Sequence, residues 1–177
     1  MTRLAAALAA LLPLACAAPI HTESYVQGET VLIRKVALIP LGEDLMRGGR
    51  GGSEAAAIVT ARVLDALDSE TKLRVVDPAQ ADAVLSGVVR RWVERDGSAS
   101  GVRQAASVWF VLELRDGEGR KIWSGTYEET QAPLSEDAGS FPRAWDRGFR
   151  WVTAEELANY GARELVRELA VEVASWS

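Results

Sequence analysis

The chain has 177 residues, 48% hydrophobic and 25% charged, which suits one folded domain with a sizeable core and excludes a disordered chain. Its formal charge of −5 argues against a nucleic-acid partner. One Cys, one His and two Met leave no material for a zinc cage, a disulfide framework or a Ser-His-Asp triad on a buried His, so neither metal nor cofactor is expected.

Residues 1–15 read as an export signal. Arg3 supplies the positive charge, and residues 4–15 are an uncharged Leu/Ala run broken only by Pro13, too short to span a bilayer as a permanent helix. The run ends at the only cysteine. Leu12-Pro13-Leu14-Ala15-Cys16 resembles a bacterial lipobox, with Pro13 where that pattern has Leu. The resemblance implies a lipidated Cys16 as the new N-terminus, and Ala17 in place of Asp implies the outer membrane. Several acyl chains on one Cys suffice for stable anchoring. Ala15-Cys16-Ala17 also fits ordinary signal-peptidase cleavage, which would leave Cys16 without a role.

Residues 16–30 are expected to be lipidated Cys and tether, polar and without periodicity, with His21 solvated. A single domain then occupies residues 31–177. Residues 31–41 form an apolar run that predicts a buried strand. Five glycines in residues 42–52 predict a mobile loop, and Ser53 with Glu54 predicts the start of a helix reaching about residue 69. Its apolar stripe is Ala56, Val59, Val63, Ala66 and Leu67. Residues 72–77 predict a short strand closed by Pro78. Residues 83–95, 105–115 and 120–131 predict three more, turning at Asp96-Gly97 and Asp116-Gly117. In the middle one, Ala106, Val108, Phe110, Leu112 and Leu114 share an apolar face, while Ser107, Trp109, Val111, Glu113 and Arg115 make a mixed, half-covered one. Thr153-Ala154-Glu155-Glu156 is a capping box opening a helix to about residue 175, with Leu157, Gly161, Leu165, Leu169 and Val173 as its stripe. Gly161 in that stripe predicts close packing. The expected fold is an α+β sandwich of order β-α-β-β-β-β-α, with about five strands in a mixed sheet and helices on one face.

Catalytic patterns fail one after another. Gly48-Gly49-Arg50-Gly51-Gly52-Ser53 lies where phosphate loops lie, but Gly52 replaces the P-loop Lys and Glu54 would repel a phosphate. Asp96-Gly97-Ser98-Ala99-Ser100-Gly101 has Ala99 where a nucleophile elbow needs Ser, and serines where a calcium loop needs carboxylates. The acidic pairs Glu128-Glu129 and Glu136-Asp137 are unremarkable in so acidic a chain. No catalytic residue is assigned.

Residues 140–151 concentrate what remains. Phe141, Trp145, Phe149 and Trp151 interleave with Arg143, Arg147 and Arg150. Three readings stand: cover for the half-open sheet face over Trp109 and Trp123, a protein interface built on Trp, Phe and Arg, or a helix at the membrane surface. The partner-binding candidates are Trp145, Arg147, Phe149 and Trp151.

Lys35-Val36-Ala37-Leu38-Ile39-Pro40-Leu41, Ala81-Asp82-Ala83-Val84-Leu85-Ser86-Gly87 and Ile122-Trp123-Ser124-Gly125-Thr126-Tyr127 occur in the order seen in a family of bacterial envelope α/β domains. That family resembles the N-terminal domain of the Tol-Pal translocation protein and the periplasmic domain of curli-secretion lipoproteins, and residues 127–166 look like uncharacterised lipoproteins of the same core. The resemblance implies an α/β domain, non-enzymatic work, envelope proteins as partners and possible homo-oligomers. The resulting expectation is an outer-membrane-anchored periplasmic lipoprotein acting as adaptor or assembly factor. The alternative is a soluble small-ligand module or envelope hydrolase using the open sheet face with Glu113 or Glu128.

Overall fold

In the computed structural model, the structure describes residues 20–26, 31–44, 52–98, 101–131 and 150–176. Strands β1 (Ile20–Ser24), β2 (Lys35–Leu38) and β3 (Gly42–Glu43) precede helix α1 (Gly52–Glu70). β4 (Arg74–Val75), β5 (Ala83–Val93), β6 (Asp96–Ser98), β7 (Gly101–Gln104), β8 (Ser107–Asp116) and β9 (Lys121–Thr130) follow, and α2 (Ala154–Ser175) closes the chain. Seven strands form one mixed sheet in the order β1-β9-β8-β5-β2-β4, with β3 also beside β5. β6 and β7 make a separate two-stranded hairpin.

The α+β class and the one-sided helices are as the periodicity predicts, but the sheet is wider than five strands. Residues 20–24, expected to be tether, form the edge strand β1, antiparallel to β9 with Ile20 opposite Tyr127. His21 sits in it, exposed, 3.3 Å from Glu23. The apolar run 31–41 supplies only β2 as regular strand, because Pro40 cannot continue a ladder and Leu41 N–H turns to the Thr60 hydroxyl of α1 at 2.9 Å. Gly42 and Glu43, expected in a loop, pair with Val88 and Val89. Asp96-Gly97, expected as a turn, lies in β6. Ser53 falls inside α1 rather than before it. The remaining loop prediction, over residues 45–51, lies outside the described residues.

The core lies between the sheet and both helices. Alternation in β8 places Ala106 just before the strand and Val108, Phe110, Leu112 and Leu114 within it on this side, all fully buried. Helical spacing brings Val59, Val63 and Leu67 of α1 and Leu157, Leu165 and Leu169 of α2 against them. Each such aliphatic or aromatic side chain contributes roughly 1.5–3 kcal/mol by leaving water. α2 approaches so closely that Gly161 lies against the Tyr127 ring of β9. The capping box at its start is formed: the Glu156 N–H donates to Thr153 Oγ1 at 3.2 Å, and the Thr153 N–H donates to Glu156 Oε2 at 2.9 Å. At the other end of α1, Glu70 binds Arg163 at 2.6 Å and Arg167 at 2.9 Å, joining the two helices.

Glu70, Asp82 and Glu156 are among the carboxyls that such contacts hold below their ordinary range. The Arg167 and Arg163 guanidiniums do this at Glu70, and the Arg34 and Lys35 backbone N–H groups do it at Asp82. The Arg150 guanidinium and the Thr153 N–H do it at Glu156. A lowered folded-state value stabilises above the unfolded value and is lost as pH falls through the folded one. Stability is therefore expected to hold from neutral pH down to about 4.5 and decline below it. Urea titrations across this range should show a shallower decline for Asp82→Asn/Glu156→Gln, whose side chains no longer titrate.

Candidate functional site

Of the candidates, Cys16, Trp145, Arg147 and Phe149 lie outside the described residues, and Trp151 lies within them, half-buried. What the structure does show is how the two ends of residues 132–149 are joined. Gln131, just past β9, uses both ends of its amide: Nε2 donates to the Arg150 carbonyl at 2.8 Å, and Oε1 accepts the Val152 N–H at 2.7 Å. The Gln131 backbone N–H is itself tied to the Ala106 carbonyl at 3.1 Å. From the end of β5, the Arg95 guanidinium donates to the Trp151 carbonyl. Glu94 bridges Trp92 Nε1 (3.0 Å) and the Ala154 N–H (3.4 Å) at the start of α2. Arg150 pairs with Glu156.

Gln131 and residues 150–154 are thus joined by a polar clamp at one end of the sheet. No helix or strand period marks Gln131, Arg95 or Glu94, so pattern reading passed over them; the only signal was their place at strand ends. Val152 is fully buried, and its N–H has the Gln131 amide as acceptor. Gln131→Ala is expected to cost about 1–3 kcal/mol by orphaning that donor. A lowered urea midpoint would show it, and Gln131→Glu, which keeps the acceptor, should recover part of the loss.

The open sheet face is mixed, and the carboxylates Glu113 and Glu128 on it are paired. Arg91 stacks over Trp109, 5.5 Å from the ring centroid, and reaches Glu128 at 3.0 Å, so one guanidinium holds both. Glu113 binds Arg115 at 2.6 Å and faces Lys121 at 3.7 Å. Lys121 also lies 4.7 Å from the Tyr25 ring centroid. Both carboxylates named for a hydrolytic alternative therefore already have cationic partners. Trp123 is not on this face: it stands opposite Leu114 in the ladder, hence on the helix side, and is fully buried there. Only Trp109 of the two tryptophans is on the half-covered side. Among the described residues, no group of three or more His, Cys, Asp or Glu could hold a metal ion, and no helix is long and apolar enough to cross a membrane.

These features define an α/β sandwich with a mixed sheet and two helices packed on one side. The same fold occurs in the PelC dodecamer from Paraburkholderia phytofirmans, 18% identical with a TM-score of 0.56, the match covering 85% of this chain and 96% of PelC. It occurs also in XCC0632 from Xanthomonas campestris, of the DUF330 family, 16% identical with a TM-score of 0.53, covering 84% of this chain and 91% of that one. The likeness to lipoprotein GNA1162 from Neisseria meningitidis is looser, with 12% identity, a TM-score of 0.43 and coverage of 65% and 94%. No family model matches the chain, and no curated protein sequence does. The first two likenesses support the expected α/β architecture, not the Tol-Pal or curli particulars.

Proposed function

We propose that the chain is a lipoprotein anchored through Cys16 to the outer membrane, facing the periplasm, where it works without catalysis as an adaptor or assembly factor for an envelope complex. The observation that carries this is the position of the only cysteine, at the end of the uncharged run and shortly before the folded domain. The ion-paired state of Glu113 and Glu128 supports binding work over hydrolysis. Trp145, Arg147, Phe149 and Trp151 are the partner contacts in this reading, since Trp and Arg dominate interface energetics. The fold is shared with a protein described as a dodecamer, which supports self-assembly as part of the role.

Intact mass and flotation of protein from fractionated membranes test the anchor. Cleavage before Cys16 with added acyl mass is expected, and Cys16→Ser should leave the membrane fraction. A soluble product cut after Ala17 would overturn it. Trp145→Ala/Arg147→Ala should lose co-purifying envelope proteins while melting at the parent temperature; unchanged partners would remove this segment from the interface. Light scattering of the detergent-extracted protein distinguishes an oligomer from a monomer.

A further inference from the structure

The chain enters the sheet sooner than its polar N-terminal composition predicts. Only three residues, 17–19, separate Cys16 from Ile20, where β1 begins. Four Cα steps span at most about 14 Å. β1 is held along β9, with Ile20 opposite Tyr127 and Ser24 opposite Trp123. Read backwards from Ile20, the strand therefore heads toward the Thr130 end of β9. That end of the sheet carries Gln131, the Arg150 and Trp151 junction and the N-terminus of α2, because Gln131 joins β9 to Arg150 and Val152. It also carries the β6–β7 hairpin, which leaves β5 where Val93 faces Ser107 and Ser107 faces Thr130. The opposite end, with the β8–β9 turn after Asp116, lies a whole strand away: the ten residues of β9 span about 33 Å.

We propose that the end of the sheet bearing the β6–β7 hairpin and the Gln131 clamp is apposed to the bilayer that holds Cys16, with the β8–β9 turn pointing away from it. This rests on the anchor proposed above and deepens it.

Acylation consumes the only thiol, so an added cysteine becomes the only labelling site. Gln104→Cys in β7 and Gly117→Cys in the far turn are both exposed, and a Cβ at Gly117 meets nothing within 4 Å. Each variant, extracted from membranes, is labelled with a fluorophore and reconstituted in vesicles containing headgroup-nitroxide lipid. The Gln104 label is expected to be quenched at least about twofold more than the Gly117 label, given the short reach from Cys16. Equal quenching, or more at Gly117, in a protein whose parent floats and takes no label would overturn the orientation and leave the anchor standing. A parent chain that takes label at Cys16 and stays off the vesicles would overturn both.

Discussion

Gly87→Ala should lower stability by about 3 kcal/mol, the upper end of what overpacking costs. Gly87 sits in the middle of β5 opposite Leu112, and a Cβ built there would lie 2.3 Å from the Val111 carbonyl oxygen. A backbone oxygen has no rotamer to escape into, so the β5–β8 ladder must part locally. Leu112 Cδ2 at 3.0 Å and the Leu41 side chain at 3.2 Å close the other directions. Equilibrium urea unfolding is the measurement, with the midpoint falling and the slope unchanged if the native fold persists. A midpoint within error of the parent would show that the two strands separate there at negligible cost.

The second large effect is a reversal of sign. Ala is the better helix former by about 1 kcal/mol, so Gly161→Ala in an exposed helix would stabilise. Here the added Cβ would lie 2.4 Å from Tyr127 Cδ1, with Cγ and Cε1 also inside 3 Å. The ring cannot retreat easily, since it is fully buried and tilted against Phe110 at a centroid distance of 5.5 Å. The net outcome should be a loss of about 1–2 kcal/mol, the clash exceeding the propensity gain. Tyr127→Ala alone should cost about 3–5 kcal/mol through the cavity it leaves. In that background Gly161→Ala should become neutral or stabilising, because the methyl then enters space instead of a ring. A double-mutant cycle measures the coupling directly, and additive losses would refute the contact as its cause.

What was legible in the sequence was whatever repeats. β8 alternates over its whole length between a buried face and a mixed one, and both faces are where the alternation places them. α2 announces its start with Thr153 and Glu156 and its buried side with a regular stripe. The edge strand β1 was illegible for a physical reason, whereas β4 lies inside the short strand expected over residues 72–77. β1 reads Ile-His-Thr-Glu-Ser, too short and too polar to make a pattern. It is a strand because β9 offers it hydrogen bonds, and an edge strand's neighbour cannot be seen in its own residues. Trp123 falls on the helix side because it stands opposite Leu114, a pairing that the residues of β9 alone do not reveal. The clamp between Gln131 and residues 150–154 was hidden because Gln131, Arg95 and Glu94 all lie outside any period.

β1 also decides how the domain would carry a load. If the N-terminus is pulled along the strand axis away from the domain, the force runs first through β1 and its ladder with β9. In that direction the inter-strand hydrogen bonds lie across the pull and share it, so they must yield together rather than open one after another like a zipper. A flexible leader of the length the composition suggested would pass tension straight to residue 31 and the start of β2. The observed arrangement instead makes a five-residue edge strand the first mechanical element among the described residues.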